Sequence, residues 1–260
     1  MTSAVLIDMG GVLTTVPGFD EAWAARLGLA REEFLRAVYA GSDETVLVGT
    51  VSEADWWRIV AGRLGITADV IDEMHLDLAA REKWDDALLA LLRGLRGSVP
   101  IALVSNAWPD TRARLARDGM LDLADEFVLS GEVGYAKPHP RIFGIALERL
   151  SATPADALFV DDTPGHVAAA RALGISGHVH TGTPSTIAAI RDFLSLTQRP
   201  YVPVQRSFSV LRRYRIPAVN SGFGASFGRQ GPCDAYPRRR GVKQRGSSPR
   251  RVRLSYVYDG

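Results

Sequence analysis

Val5-Leu6-Ile7-Asp8-Met9-Gly10-Gly11-Val12-Leu13-Thr14 is the stretch from which the fold can be predicted. Its first three residues are consecutive and apolar, which predicts a strand buried on both faces. The Asp8 carboxyl follows at the end of that strand, where open α/β sheets bind their ligands. Gly10 and Gly11 allow backbone amides to approach whatever Asp8 attacks or coordinates. Taken alone, the stretch also fits a buried strand that ends in a glycine turn, with Asp8 as an ordinary turn residue.

Further apolar segments alternate with helical patterns along the chain. Strands are expected at Pro100–Val104, Glu126–Leu129, Ala157–Val160 and near Gly177–His180. Helices are expected at 88–95, Pro138–Leu150, Pro164–Leu173 and Pro184–Leu196. Alternation of this kind predicts an α/β fold, in which a parallel sheet is built with right-handed crossovers.

Residues 15–85 interrupt this alternation with helical patterns and no predicted strand. Ser52 is expected to cap one helix, and a further helix is expected at Thr67–Ala80. The block is therefore interpreted as an insertion between the first strand and its crossover helix. Trp56 and Trp57 could stack on a substrate, but packing between the helices of the block is favoured.

The charge of the chain is divided unevenly. The net charge of +2 over 260 residues combines 13 Lys and Arg against 2 Asp and Glu in residues 200–260 with 18 against 27 in residues 1–199. Residues 200–260 thus carry a net charge of +11 and residues 1–199 a net charge of −9, as in two different kinds of sequence joined end to end.

The composition also indicates the cellular compartment to expect. Cys233 is the only cysteine, which argues against a disulfide framework and favours a reducing compartment. No run of 18 apolar residues indicates a membrane span, and the N-terminus lacks the pattern of a signal peptide. A cytoplasmic protein without a membrane partner is expected.

Polar side chains follow the predicted strands at the points where each strand ends. Ser105-Asn106 follows the second strand, and Asp161-Asp162 follows the fourth. Lys137 precedes a predicted helix start. Because the carboxyl ends of parallel strands meet at one edge of a sheet, these side chains are expected to gather there with Asp8.

The combination of these groups indicates a chemistry. Asp8, Asp161 and Asp162 would repel one another in a cleft, and a hard divalent cation such as Mg²⁺ removes that conflict. Lys137, Ser105 and backbone amides then supply donors for an anionic group. Neutralised charge, positioned donors and a nucleophilic carboxylate are what phosphoryl transfer requires.

With these residues the sequence resembles the haloacid dehalogenase (HAD) superfamily of hydrolases, in its phosphatase branches, over about residues 4–196. The resemblance consists of four motifs in order, namely a D-x-G-G variant of motif one at Asp8–Thr14, Ser105-Asn106, Lys137-Pro138 and Phe159–Asp162. It implies a Rossmann-like catalytic core of residues 1–14 and 86–197, a parallel sheet flanked by helices. It also implies that 15–85 forms an inserted α-helical cap domain.

The resemblance assigns a role to each motif residue. Asp8 is the implied nucleophile, and Ser105 and Lys137 are implied to act with it in catalysis. The implied phosphate-binding set is Gly10, Gly11, Ser105, Asn106 and Lys137. The implied Mg²⁺ ligands are the Asp8 carboxylate, the Gly10 carbonyl, Asp161 and Asp162, of which Asp162 is the more direct of the last two.

One departure from the family pattern affects the mechanism. Gly10 stands where the common phosphatase pattern has a second Asp that acts as general acid and base. Glycine is found there in a branch that resembles α-glucose-1-phosphate phosphatase. The dehalogenase branch also lacks that Asp, but its motif four usually ends in Ser and Asn, so Asp161-Asp162 favours a phosphatase. For His166 a helix-capping role is favoured over catalysis.

Residues 198–260 do not continue the fold. They are rich in Arg, Gly and Pro and nearly free of acids, and such a segment cannot bury enough apolar surface to offset its ordering entropy. Three interpretations stay open: a basic, disordered tail that binds nucleic acid or another polyanion, a solvated tail without a partner, and an out-of-frame extension. The composition favours the last.

The expected function is that of a Mg²⁺-dependent phosphatase, which hydrolyses a small phosphorylated metabolite through an aspartyl-phosphate. One alternative is a polyanion-binding protein with a weakly active HAD core, and another is a metal-independent 2-haloacid dehalogenase. A monomer or a homodimer is expected.

Overall fold

Five parallel strands form the central sheet in the computed structural model, which describes residues 3–196. Across the sheet they lie in the order β5 (Glu126–Leu129), β4 (Ile101–Ser105), β1 (Ala4–Ile7), β6 (Ala157–Asp161) and β7 (Ser176–Val179). The predicted α/β fold with a parallel sheet is confirmed. The central strand β1 lies between the two strands that end in Ser105 and Asp161.

Helices cover both faces of the sheet. They are α5 (Asp86–Leu95), α6 (Thr111–Arg117), α7 (Ser130–Val133), α8 (Pro140–Leu150), α9 (Pro164–Ala172) and α10 (Thr183–Leu196). Because side chains alternate along a strand, Val5 and Ile7 pack with Leu88 of α5 on one face, and Leu6 packs with Phe143 of α8 on the other. This burial on both faces explains the unbroken apolar run of β1.

Helix α6 was not expected from the sequence. It is seven residues long, and only Thr111 and Leu115 are buried. A helix with two buried positions lacks the repeated apolar spacing from which a helix is predicted.

The inserted block contains α1 (Phe19–Arg26), α2 (Arg31–Tyr39), α3 (Glu53–Leu64), α4 (Ala68–Arg81) and a 3₁₀ turn at Val46–Val48. These helices bury an apolar cluster of their own, which includes Phe34, Trp56 and Met74. The Trp56 indole donates a hydrogen bond to the Val38 carbonyl oxygen (3.1 Å), so Trp56 serves helix packing as expected. The Ser52 cap is also present, because its hydroxyl accepts from the Asp55 backbone N–H (3.1 Å).

The expectation that residues 15–85 contain no strand is wrong. Strand β2 (Thr14–Thr15) pairs antiparallel with β3 (Lys83–Trp84), and the Asp85 N–H donates to the Leu13 carbonyl oxygen (2.9 Å). The two connections between the sheet and the inserted helices therefore run side by side. Strands of two residues are too short to show a period of two in the sequence.

The expectations for residues 198–260 fall outside the residues that the structure describes. Within residues 3–196, no helix has the length and apolar character needed to cross a membrane.

Candidate active site

Lys137 lies at the centre of a buried cluster at the carboxyl edge of the sheet. Its ammonium nitrogen is 2.8 Å from Oδ2 of Asp8 and 2.5 Å from Oδ2 of Asp161. Asp8 directly follows β1, Asp161 ends the neighbouring β6, and Ser105 ends β4 on the other side. The Ser105 hydroxyl lies near enough to the Asp8 carboxylate to lower the pKa of Asp8. The topology thus brings together the three residues that the sequence predicts to be catalytic.

Asn106 holds the segment that carries Lys137. Its side-chain amide nitrogen donates to the Lys137 carbonyl oxygen (3.0 Å), and its side-chain oxygen accepts from the Lys137 N–H (2.6 Å). This two-point contact fixes the backbone at Lys137 and thereby aims the ammonium group. Direct phosphate binding by Asn106 stays a prediction.

The two glycines after Asp8 differ in their surroundings. Gly11 has a φ of +73°, and a Cβ at that position would lie 2.0 Å from Oδ2 of Asp162. Its amide donates to the Thr14 carbonyl oxygen (2.8 Å), so in this structure it closes the turn. Gly10 has no other atom within 4 Å of an added Cβ. Only Gly11 is therefore required for the close approach of the Asp162 carboxylate.

Three carboxylates of the described residues meet the spacing of a metal site. Oxygens of Asp8, Asp161 and Asp162 lie within 4.8 Å of one another, and Asp162 is the exposed member. With Lys137 between two of them, the ionised cluster carries a net charge of −2. Oxygen ligands and that charge suit a hard divalent cation such as Mg²⁺. The donor set therefore fits the predicted metal.

Burial and charge set the pKa values of the cluster. Burial raises the pKa of Asp8 to about 6, although the Lys137 ammonium opposes the rise. Burial acts in the same direction on Asp161, but the His166 hydrogen bond and the Lys137 charge outweigh it and hold its pKa at about 2. The pKa of Lys137 is raised, because the two carboxylates more than offset its burial. The resulting site has a permanent ammonium beside a carboxylate that ionises below neutral pH.

The predicted capping role of His166 is wrong. His166 lies in the first turn of α9, and its Nδ1 is 3.1 Å from Oδ1 of Asp161. The same Asp161 oxygen accepts a hydrogen bond from the Thr163 N–H (2.8 Å), so Asp161 serves the start of this helix. The His166 ring instead contacts both oxygens of the Asp161 carboxylate, which also pairs with Lys137. A sequence pattern does not show this contact, because it depends on how α9 leaves β6.

The glycine pair gives a matched test of this geometry. Gly11→Ala is expected to weaken divalent-cation binding by at least about tenfold, because the new Cβ would displace Asp162 and strain the backbone. Gly10→Ala has room and should bind the cation like the wild type. Isothermal titration with Mg²⁺ measures both variants. Equal affinities for the two would contradict the role given to Gly11.

The fold and site together define a class of hydrolases with a nucleophilic aspartate at the end of the first strand. The family model for haloacid dehalogenase-like hydrolases matches residues 2–174, and the chain belongs to this family.

Three curated relatives are 25–28% identical to the chain over their aligned residues. Bifunctional epoxide hydrolase 2 of Sus scrofa is 27% identical over 225 residues, which are 77% of this chain but 40% of that protein. Phosphatase MT3486 of Mycobacterium tuberculosis is 28% identical over 75% of this chain and 94% of its own length. D-ribitol-5-phosphate phosphatase of Bacteroides thetaiotaomicron is 25% identical over 67% of this chain and 89% of its own. The chain thus spans less than half of the porcine protein.

Solved structures share the fold. A HAD family enzyme of Bacteroides thetaiotaomicron, bt-2542, superposes with a TM-score of 0.61 at 21% identity, over 76% of this chain and 99% of that one. The L-2-haloacid dehalogenase of Xanthobacter autotrophicus superposes with a TM-score of 0.53 at 21% identity, over 75% and 88%. Because one fold accommodates both enzymes, the choice between their chemistries depends on site residues.

Proposed function

We propose that the protein is a Mg²⁺-dependent phosphatase that hydrolyses a small phosphorylated metabolite through an aspartyl-phosphate at Asp8. The observation that carries the proposal is the Lys137 ammonium, which touches both Asp8 and Asp161 while a third carboxylate, Asp162, lies within ligand distance. Such a site combines a nucleophile with fixed positive charge for the transferred group.

Each site residue has a distinct role in the proposed reaction. An Asp8 oxygen attacks phosphorus, while Lys137 and Ser105 donate hydrogen bonds to the phosphoryl oxygens and hold them in line with Asp8. Asp8, the Gly10 carbonyl, Asp161 and Asp162 would hold the Mg²⁺, which when bound supplies positive charge to the phosphoryl group. Asn106 and His166 keep Lys137 and Asp161 in place.

The relatives support the reaction class. Phosphatase MT3486 and D-ribitol-5-phosphate phosphatase are named for phosphate removal, as is a phosphoserine phosphatase of Thermus thermophilus that is 37% identical over 31% of this chain. The bt-2542 enzyme has been crystallised with magnesium and inorganic phosphate. The differing substrates in these names leave the metabolite of this chain open.

The pair Asp161-Asp162 argues against the dehalogenase alternative. A halide leaves without a metal, and three carboxylates beside one ammonium would leave that site with uncompensated negative charge. The polyanion-binding alternative depends on residues 198–260, outside the described part of the chain.

Metal removal tests the proposal. The full-length protein is expected to release phosphate from at least one member of a phosphorylated-metabolite panel in Mg²⁺, and to lose that activity in excess EDTA. Asp162→Ala should need more Mg²⁺ for half-maximal rate, because it removes one carboxylate ligand. Turnover that persists in EDTA, or chloride release from 2-chloropropionate without metal, would refute the proposal.

A further inference from the structure

The cap loop, residues 41–49 between α2 and α3, contacts the core at two separate points. At one end Gly49 lies against Gly131, so closely that an added Cβ would be 2.3 Å from the Gly131 carbonyl oxygen. At the other end the Asp43 carboxylate lies close enough to His166 for their charges to attract. Beside the loop, Trp57 of α3 stacks on Trp108 of the core, with ring centroids 5.6 Å apart.

These contacts place the cap loop over the nucleophile. Gly131 follows β5 and His166 follows β6, and β4 and β1 lie between those strands in the sheet. The Gly131 N–H also donates to the Ala107 carbonyl oxygen (3.3 Å), which places Gly131 beside the segment that follows β4. The two contacts therefore lie on either side of the end of β1. The direct path of the loop therefore crosses the ends of β4 and β1, where Ser105 and Asp8 lie.

The backbone beside Asp43 is held in a tight turn. Ser42 is buried, and its carbonyl oxygen accepts from the N–H groups of Thr45 (3.1 Å) and Leu47 (3.0 Å). Asp43 itself is exposed, although neighbouring atoms partly desolvate its carboxyl group. This desolvation raises its pKa, which His166 lowers and Glu44 raises again. A carboxyl of this kind can hold a proton more readily than an exposed one.

The geometry of in-line displacement determines where a general acid must lie to protonate the leaving oxygen. The leaving oxygen departs on the side of phosphorus opposite Asp8, and that side faces the loop that crosses above β1. Gly10 offers no side chain there. We propose that Asp43 of the cap loop is the general acid and base of this enzyme and supplies from the cap the carboxyl that motif one lacks. This inference rests on the proposed phosphatase function.

With Asp43 in this role, bonds and protons are conserved in both half-reactions. As the Asp8 oxygen forms its bond to phosphorus, the bond from phosphorus to the leaving oxygen breaks, and the Asp43 carboxyl gives its proton to that oxygen to form the alcohol. The Asp43 carboxylate next takes a proton from a water molecule whose oxygen attacks the aspartyl-phosphate. Phosphate leaves, Asp8 is regenerated and Asp43 is protonated again.

The test compares three phosphate esters of similar size but rising need for protonation: 4-nitrophenyl, phenyl and benzyl phosphate. Asp43→Asn is expected to lower kcat/KM by about 10²-fold or more on benzyl phosphate, the range that general acid catalysis contributes. Its kcat/KM on 4-nitrophenyl phosphate should change little, because nitrophenolate leaves without a proton and kcat/KM covers only the steps through departure of the leaving group. Asp69→Asn, an exposed change in the first turn of α4 in the same inserted block, is the matched control and should follow the wild type on all three esters.

The pattern of losses separates the possible failures. An equal loss on every ester by folded Asp43→Asn, or no loss on any, would overturn the role of Asp43. Hydrolysis by Asp8→Asn at the wild-type rate would instead overturn the proposed function, whatever the Asp43 variant does.

Discussion

Asp8→Asn is expected to lower phosphate release by more than about 10⁴-fold, since an amide cannot replace the attacking carboxylate and the covalent route is lost. The fold should survive, because burial already disfavours the charged form of Asp8 and the substitution conserves its shape. Initial rates on 4-nitrophenyl phosphate in saturating Mg²⁺ measure the first effect, and thermal unfolding measures the second.

A surface aspartate provides the control for this variant. Asp118→Asn, an exposed change at the end of α6, should leave rate and stability at wild-type values. If folded Asp8→Asn turned over at a tenth of the wild-type rate or more, Asp8 would not be the nucleophile.

Lys137→Met is expected to remove activity and also to destabilise the protein by about 3–5 kcal/mol, because it leaves the buried carboxylates of Asp8 and Asp161 without their shared counter-ion. Urea unfolding at neutral pH without metal measures the loss. Lys83 is the other lysine among residues 3–196 and is exposed, so Lys83→Met is the matched control and should unfold like the wild type.

The instability of Lys137→Met should depend on pH in a stated direction. Without the ammonium, the pKa of Asp8 rises above its wild-type value of about 6, whereas the unfolded chain has 3.8. The folded state then binds more protons than the unfolded state, so stability falls as pH rises from about 4 through that raised pKa. The difference in unfolding free energy between Lys137→Met and the wild type should therefore narrow as pH falls from 8 to 5. A gap that stays constant over this range would mean that lost packing, and not unpaired charge, causes the instability.

The positions of the site residues at the ends of strands could be predicted, because the strands themselves are recognisable from their apolar runs. A run such as Val5–Ile7 indicates a strand buried on both faces, and parallel strands bring their carboxyl ends to one edge. The position of Asp8, Ser105 and Asp161 along one edge of the sheet follows from those two facts. The order of strands across the sheet does not follow from them, and it is this order that places β1 between β4 and β6.

Contacts that depend on tertiary geometry left no signal in the sequence. The strand pair Thr14–Thr15 and Lys83–Trp84 is too short for periodicity, and the turn of α9 decides that His166 reaches Asp161. Asp43 lies 35 positions from Asp8 in a loop without a motif. Its place is set by how Gly49 docks on Gly131, which no local pattern encodes.

Acid-quenched enzyme from a single turnover tests the central claim most directly. Full-length protein is mixed with Mg²⁺ and a phosphate ester, quenched before product release is complete, digested and examined by peptide mass spectrometry. One added phosphoryl group is expected on the peptide that contains Asp8, and it should be absent from Asp8→Asn. Phosphate release with the phosphoryl group on another residue, or with no phosphorylated peptide at any quench time, would contradict it.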